Sequence, residues 1–167
     1  MYEIKNAAVI GAGTMGLGIA GQLANAGVDV LLLDLPADGD NRNAICERAI
    51  ERLLDPNAPG LLHKNNLERI TIGNIEDDFG KLTDIDWIAE AVVERLDVKK
   101  ALYKRINEVR KSGSIVSSNT STIPISLPLA VSTWEESTGV PRSCHLELQD
   151  SEEPYWQLYS QSILNWA

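Results

Sequence analysis

The feature that most constrains this chain is Gly11-Ala12-Gly13-Thr14-Met15-Gly16, which follows directly on an apolar run, Ala7 to Ile10. Glycines at this spacing also arise by chance in loops, so the flanking sequence decides what they mean. Leu17, Ile19, Ala20, Leu23 and Ala24 recur at helical spacing, and Gly27 stands where a helix C-terminus needs a residue able to take positive φ. A second apolar run, Val28 to Leu35, follows and holds Asp34, 18 positions after Gly16. Strand, glycine turn, helix, strand and acidic residue come in the order that a dinucleotide-binding βαβ unit requires.

Each part has a physical reason. Gly11 makes the tight turn, Gly13 lets backbone N–H groups approach a pyrophosphate, and Gly16 lets the helix pack close to the strand. The helix opening at Thr14 and Met15 presents the positive end of its dipole to that anion, so no Lys or Arg is needed. Asp34 is placed to accept hydrogen bonds from the adenosine ribose and to repel a 2′-phosphate, and no arginine follows it at once. The expected cofactor is therefore NAD rather than NADP. FAD shares the fingerprint, but such flavoproteins are usually much longer. The competing reading is a glycine turn and a surface aspartate with no ligand.

Elsewhere a second helix is expected from Asp40 or Asn41, with Ile45, Ala49 and Leu53 on one face, ending before Pro56-Asn57-Ala58-Pro59-Gly60. Arg69 to Ile72, Trp87 to Val93 and Ser114 to Ser117 read as strands. Between the last two, Val98, Ala101, Leu102, Ile106 and Val109 form an apolar stripe. Glu94 and Asp97 lie at its dipole-positive end, Arg110 and Lys111 at the other, and Gly113 closes it. Alternating strands and helices of these lengths give an α/β fold, a Rossmann-type doubly wound, mostly parallel sheet with helices on both faces.

The composition bounds the partners. A net charge of -9 argues against nucleic acid or an anionic membrane surface as a ligand. No apolar run reaches the roughly 18 to 20 residues that span a bilayer, and strand-like sequence by Asn6 leaves no room for a cleavable signal, so a cytoplasmic location is expected. Cys46 and Cys144 lack metal-ligand or disulfide spacing, and no metal is expected. The chain divides by composition into residues 1–126, the nucleotide-binding domain, and 127–167. The latter segment holds six acidic residues against one basic, Arg142, and three of the four tryptophans, and no clean periodicity runs through it.

Four blocks together carry a family resemblance: Val9 to Gly16, Leu31-Leu32-Leu33-Asp34, Ile88-Ala89-Glu90-Ala91-Val92-Val93-Glu94 and Ser117-Ser118-Asn119-Thr120-Ser121. They resemble the N-terminal NAD-binding domain of 3-hydroxyacyl-CoA dehydrogenase, and the second-helix region through Asp77-Asp78-Phe79 is similar to the multidomain bacterial type. The resemblance implies that Met15 lies by the cofactor and Asp34 by the ribose. It implies that Val92, Val93, Glu94 and Lys99 border the nicotinamide half, and that Ser121 offers its hydroxyl to the nicotinamide and to the substrate's 3-oxygen. From the residues alone, Glu94 is equally a helix N-terminal carboxylate, Lys99 a solvated helix residue and Ser121 a cap or turn residue. His63 and Lys64 either reach the phosphates of coenzyme A or belong to a solvated loop.

The family's reaction oxidises 3-hydroxyacyl-CoA to 3-ketoacyl-CoA and needs a base of near-neutral pKa, for which histidine is suited. The family supplies it in a His-Phe-Phe-Asn-Pro block, with a Glu that orients it. His145 follows Ser121 by 24 residues, near the family's interval, but stands in Cys144-His145-Leu146-Glu147-Leu148. His145 is thus the candidate base in a foreign context. After Ser126 the family pattern is left, by a shifted reading frame or by divergence, and the helical domain that completes the acyl-CoA cleft and through which family members dimerise has no counterpart. The expected function is the cofactor-binding half of a 3-hydroxyacyl-CoA dehydrogenase, inactive alone. The alternatives are a non-catalytic NAD-binding or sensing module, or another hydroxyacid dehydrogenase.

Overall fold

The structure, a computed structural model, describes residues 4–55, 60–121 and 123. Five strands form one sheet: β1 (Asn6–Ile10), β2 (Asp29–Asp34), β3 (Ile70–Asn74), β4 (Trp87–Glu90) and β5 (Ile115–Ser118). Every pairing is parallel, and the order is β3-β2-β1-β4-β5. Parallel neighbours need crossovers. Those between β1 and β2, β2 and β3, and β4 and β5 contain α1 (Thr14–Asn25), α2 (Ala44–Leu53) and α3 (Leu96–Val109). The path from β3 to β4 carries a 3-10 turn, Phe79–Asp84, and moves the chain to the far side of β1.

The strands read as continuous apolar runs because both faces of the sheet are covered. Ala8, Ile10, Leu31, Leu33 and Ile88 face one side, where Leu102 and Ile106 of α3 join Phe79 and Leu82 of the 3-10 turn. The alternate residues Val9, Val30, Leu32 and Ala89 face Leu17 and Ala20 of α1 and Cys46, Ala49 and Leu53 of α2. The expected doubly wound α/β architecture is what the chain adopts. Cys46 is a packing thiol: burial pushes its pKa up to about 11 and its Sγ lies 3.3 Å from the Gly73 carbonyl oxygen. Cys144 and all of 127–167 lie outside the described residues.

Element boundaries differ from the sequence expectations for local reasons. α2 starts at Ala44 rather than near Asp40 or Asn41. The Asn41 side chain accepts from the Asn43 N–H (3.2 Å) and donates to Glu47 (2.7 Å), a local turn that competes with helix. The strand expected over Trp87 to Val93 stops at Glu90, because the Val92 N–H turns back to Glu90 Oε1 at 2.8 Å instead of joining a ladder. A 3-10 turn, Lys64–Arg69, precedes β3, and His63 caps it by accepting from the Asn65 N–H at 3.2 Å.

At the end of the sheet where the strands begin, Asp86 joins β1, β4 and the end of α3. Its carboxylate accepts from the Lys111 ammonium at 2.5 Å and from the N–H groups of Lys5 and Asn6 at 2.9 and 3.3 Å. The Lys111 bond first, then the Lys5 backbone, holds its pKa below the usual value. A lowered folded pKa adds stability above the unfolded value of about 3.9 that is lost as pH falls through the folded value. Asp86→Ala is expected to cost about 1–3 kcal/mol at pH 7 and to make the urea midpoint less sensitive to acid between pH 5 and 3. An unchanged midpoint at pH 7 would show that the three donors find water as good a partner.

Candidate functional site

Strand order reverses between β1 and β4, and in an open α/β sheet the crevice at such a reversal, beyond the C-terminal strand ends, is where ligands bind. Two backbone segments meet there. The Gly11 N–H donates to the Leu33 carbonyl at 2.7 Å, and Gly11 has φ +110°, a value that L side chains rarely adopt. A Cβ on Gly11 would lie 2.5 Å from the Ala91 carbonyl oxygen, so the chain leaving β1 rests on the chain leaving β4. One on Gly16 would lie 1.8 Å from the Gly11 carbonyl oxygen, which pins the first turn of α1 to the loop.

Gly13 is different. Its φ of -65° suits any residue, and a Cβ there would meet nothing within 4 Å. The protein's own packing thus requires glycine at 11 and 16 but leaves open space at 13, where a ligand would approach the backbone. α1 begins without a side-chain cap and without an acidic residue in its first turn, so its dipole has no negative partner from its own sequence. Thr14 and Met15 are exposed beside it. The loop carbonyl of Ala12 accepts from Arg52 of α2 at 2.8 Å, a contact that nothing in the sequence pattern announces.

Asp34 ends β2 beside this loop. Its Oδ2 accepts from the Ala12 N–H at 2.5 Å and its Oδ1 from the Leu35 N–H at 2.7 Å. A carboxylate has about four acceptor sites, so capacity is left for ribose hydroxyls. The next arginine in the sequence, Arg42, is held by Asp77 through bonds of 2.7 and 3.1 Å. These residues fit a dinucleotide without a 2′-phosphate.

On the other side of the crevice lie Val92, half-buried, and Val93 and Glu94, exposed. Glu94 is more than a helix-end carboxylate: its Oε1 accepts from the Thr120 hydroxyl and from the N–H groups of Ser121 and Ile123 at 3.2 and 3.3 Å. It therefore holds the segment after β5 that carries the exposed Ser121. Lys99 is not a solvated helix residue; it is 0% exposed, with its ammonium 2.7 Å from Glu90 Oε1 and 3.3 Å from Glu94 Oε2. It lies on the buried side of Glu94. Glu90, Ser118 and Thr120, like Arg52, take part in bonds that the sequence pattern does not announce. An ionisable residue inside the apolar run Trp87 to Val93 was the signal for Glu90. His63 and Lys64 are exposed, and His145 lies outside the described residues. Among the described residues no group of His, Cys, Asp and Glu comes together that could hold a metal ion, and no helix is long and apolar enough to cross a membrane.

Sheet order, glycine loop and Asp34 define a Rossmann-type dinucleotide-binding domain. The chain belongs to the 3-hydroxyacyl-CoA dehydrogenase family: residues 6–138 match the family described as 3-hydroxyacyl-CoA dehydrogenase, NAD binding domain, a match that continues past Ser126. It is 45% identical over 128 residues to a probable 3-hydroxyacyl-CoA dehydrogenase of Deinococcus radiodurans, covering 76% of this chain and 37% of that protein. Among solved structures it is similar to 3-hydroxybutyryl-CoA dehydrogenase of Escherichia coli K12 (35% identity, TM-score 0.65, 77% of this chain and 27% of that one). The dehydrogenase part of multifunctional enzyme 1 of C. elegans is also similar (27% identity, TM-score 0.63, 78% and 29%). The chain spans less than half the length of these relatives, which include part of a multifunctional enzyme.

The glycines make separable predictions. Gly16→Ala forces a methyl group into a backbone carbonyl and is expected to cost about 3 kcal/mol or more, read as a fall in the thermal midpoint by circular dichroism. Gly13→Val is expected to keep most of the fold, with a smaller fall in the midpoint than Gly16→Ala, and to lose the fluorescence enhancement of added NADH. Normal NADH binding by Gly13→Val would show that the loop does not meet the phosphates.

Proposed function

We propose that the chain binds NAD in the crevice between β1 and β4 as the cofactor-binding part of an enzyme that interconverts 3-hydroxyacyl-CoA and 3-ketoacyl-CoA in fatty-acid oxidation. The observation that carries this reading is the open space over Gly13, a glycine the protein's own packing does not require, at an uncapped helix N-terminus. NAD, when bound, supplies hydride acceptance. In this reading Gly11, Gly13, Thr14, Met15 and Gly16 hold the pyrophosphate, and Asp34 holds the adenosine ribose. Val92, Val93 and Glu94, with Lys99 behind them, border the nicotinamide. Ser121 directs its hydroxyl to the nicotinamide amide and the substrate's 3-oxygen, and His145 is the candidate for the proton-accepting group. Residues 1–126 serve as the binding domain and 127–167 as a separate segment, in the cytoplasm. The acyl-CoA cleft and the dimer contact belong to a helical part beyond these residues.

NADH is expected to bind more tightly than NADPH, and Asp34→Ala to cost about 1.5–3 kcal/mol of NADH affinity by calorimetry, the range for hydrogen bonds to a charged group. Part of that cost arises from releasing the Ala12 N–H. Equal affinity for the two cofactors would sink the assignment of Asp34.

The 167 residues alone are expected to show little or no NADH-dependent reduction of acetoacetyl-CoA. A base outside its family setting forfeits up to about 100- to 10,000-fold, and without the acyl-CoA cleft these residues lack positioning that lowers a barrier by roughly 7 to 11 kcal/mol. Assays at high protein concentration would compare the wild type with His145→Ala. Robust turnover that vanishes in the variant would overturn this expectation and make His145 the base.

A further inference from the structure

The polar groups at the C-terminal ends of β4 and β5 form a closed ring. Glu90, 0% exposed, takes the Lys99 ammonium on both carboxylate oxygens, at 2.7 and 3.0 Å. Lys99 reaches on to Glu94, Glu94 accepts from the Thr120 hydroxyl, and the Thr120 N–H donates to Ser118 Oγ at 3.2 Å. The Ser118 hydroxyl closes the ring by donating to Glu90 Oε2 at 2.6 Å. Glu90 also receives the Val92 N–H on its side chain and the Asn119 N–H on its carbonyl, at 2.8 and 2.7 Å. One buried residue thus fixes the segment leaving β4, the first turns of α3 and the segment leaving β5. Tyr103 hangs on the ring without closing it: its hydroxyl donates to Glu90 Oε2 at 3.5 Å and also meets the Ser118 side chain.

We infer that Glu90 is a positioning residue for the nicotinamide half of the bound dinucleotide, setting the relative placement of Glu94 and Ser121 from behind. The inference rests on the reading of the crevice given above. A buried ion pair adds little net stability over apolar packing of similar volume, so stability alone does not account for a Glu–Lys pair here. The ring's outer members explain it: Glu94 and the Ser121 segment it holds reach the crevice surface, and their bonds through Lys99 and through Thr120 and Ser118 lead back to Glu90.

Titrating the chain with NADH and, separately, with ADP-ribose, which lacks the nicotinamide, reads the two halves of the site apart. Wild type is expected to bind NADH more tightly than ADP-ribose. In Glu90→Gln, NADH affinity is expected to fall about tenfold or more, the equivalent of one hydrogen bond to a charged group, with ADP-ribose affinity within about twofold of wild type. Ser118→Ala opens the ring without stranding a buried charge and is expected to show the same split, which keeps the test decisive if Glu90→Gln does not fold. Tyr103→Phe leaves the ring closed and is expected to bind both ligands as wild type does. Parallel loss of both ligands in Ser118→Ala, an equal loss in Tyr103→Phe, unchanged NADH affinity in Ser118→Ala, or equal wild-type affinity for the two ligands overturns the positioning role alone. A wild type that binds neither ligand overturns the reading of the crevice, and the inference with it.

Discussion

The close approach of two main chains, at Gly11 and Ala91, is the constraint on which the rest of this structure depends. β1 and β4 are neighbours in the sheet but far apart in sequence, and both chains leave the sheet at the same level. Side chains at that crossing would force the strands apart. With glycine there, the loop after β1 turns over the end of β4, α1 starts immediately, and its N-terminus faces the crevice. Asp34 and Arg52 then secure the loop from β2 and α2, through the N–H and the carbonyl of the same residue, Ala12. The exposed helix N-terminus at this loop follows from main-chain packing and not from a concentration of positive charge. That is how a chain of net charge -9 is suited to a phosphate ligand.

The two halves of the crevice are held by different physics. The Gly11–Asp34 side is shaped by glycine geometry and one partly buried carboxylate. The Glu94–Ser121 side is shaped by buried ionisable groups, in which Glu90 and Lys99 satisfy each other. Among the described residues no buried side-chain nitrogen or oxygen lacks a hydrogen-bond partner. Burial raises the pKa of the Tyr103 hydroxyl well above its usual value, so it stays a donor throughout the physiological range. Breaking a pair of this kind by removing one partner typically costs about 3–5 kcal/mol.

Much of this was legible in the sequence. Alternating apolar runs and helical stripes gave the parallel sheet and both helical layers, because strands buried on two faces cannot be mistaken for amphipathic surface strands. The glycine spacing together with Asp34 marked the loop after β1 and the carboxylate that holds it, since each residue there has a local backbone reason. Less legible was whatever depends on a partner distant in sequence. Lys99 reads as a surface helix residue until its pairing with Glu90 is known, and Arg52 as an ordinary cation in a helix's last turn. The start of α2 was misplaced because Asn41 has two local uses, as a helix cap and as a turn former, and propensity does not rank them. Ser121 and Glu94 stand out only by family resemblance; their connection, direct and by way of Thr120, joins residues distant in sequence.

The division of labour among the three glycines has a consequence for how such a domain would drift under relaxed selection. Positions 11 and 16 answer to the polypeptide itself and would be retained by any descendant that still folds. Position 13 is left open by the protein's own packing. On the NAD-binding reading proposed above, a lineage that kept the fold for scaffolding and gave up the nucleotide would be free to fill that space, and Gly13 is where loss of cofactor use would be recorded.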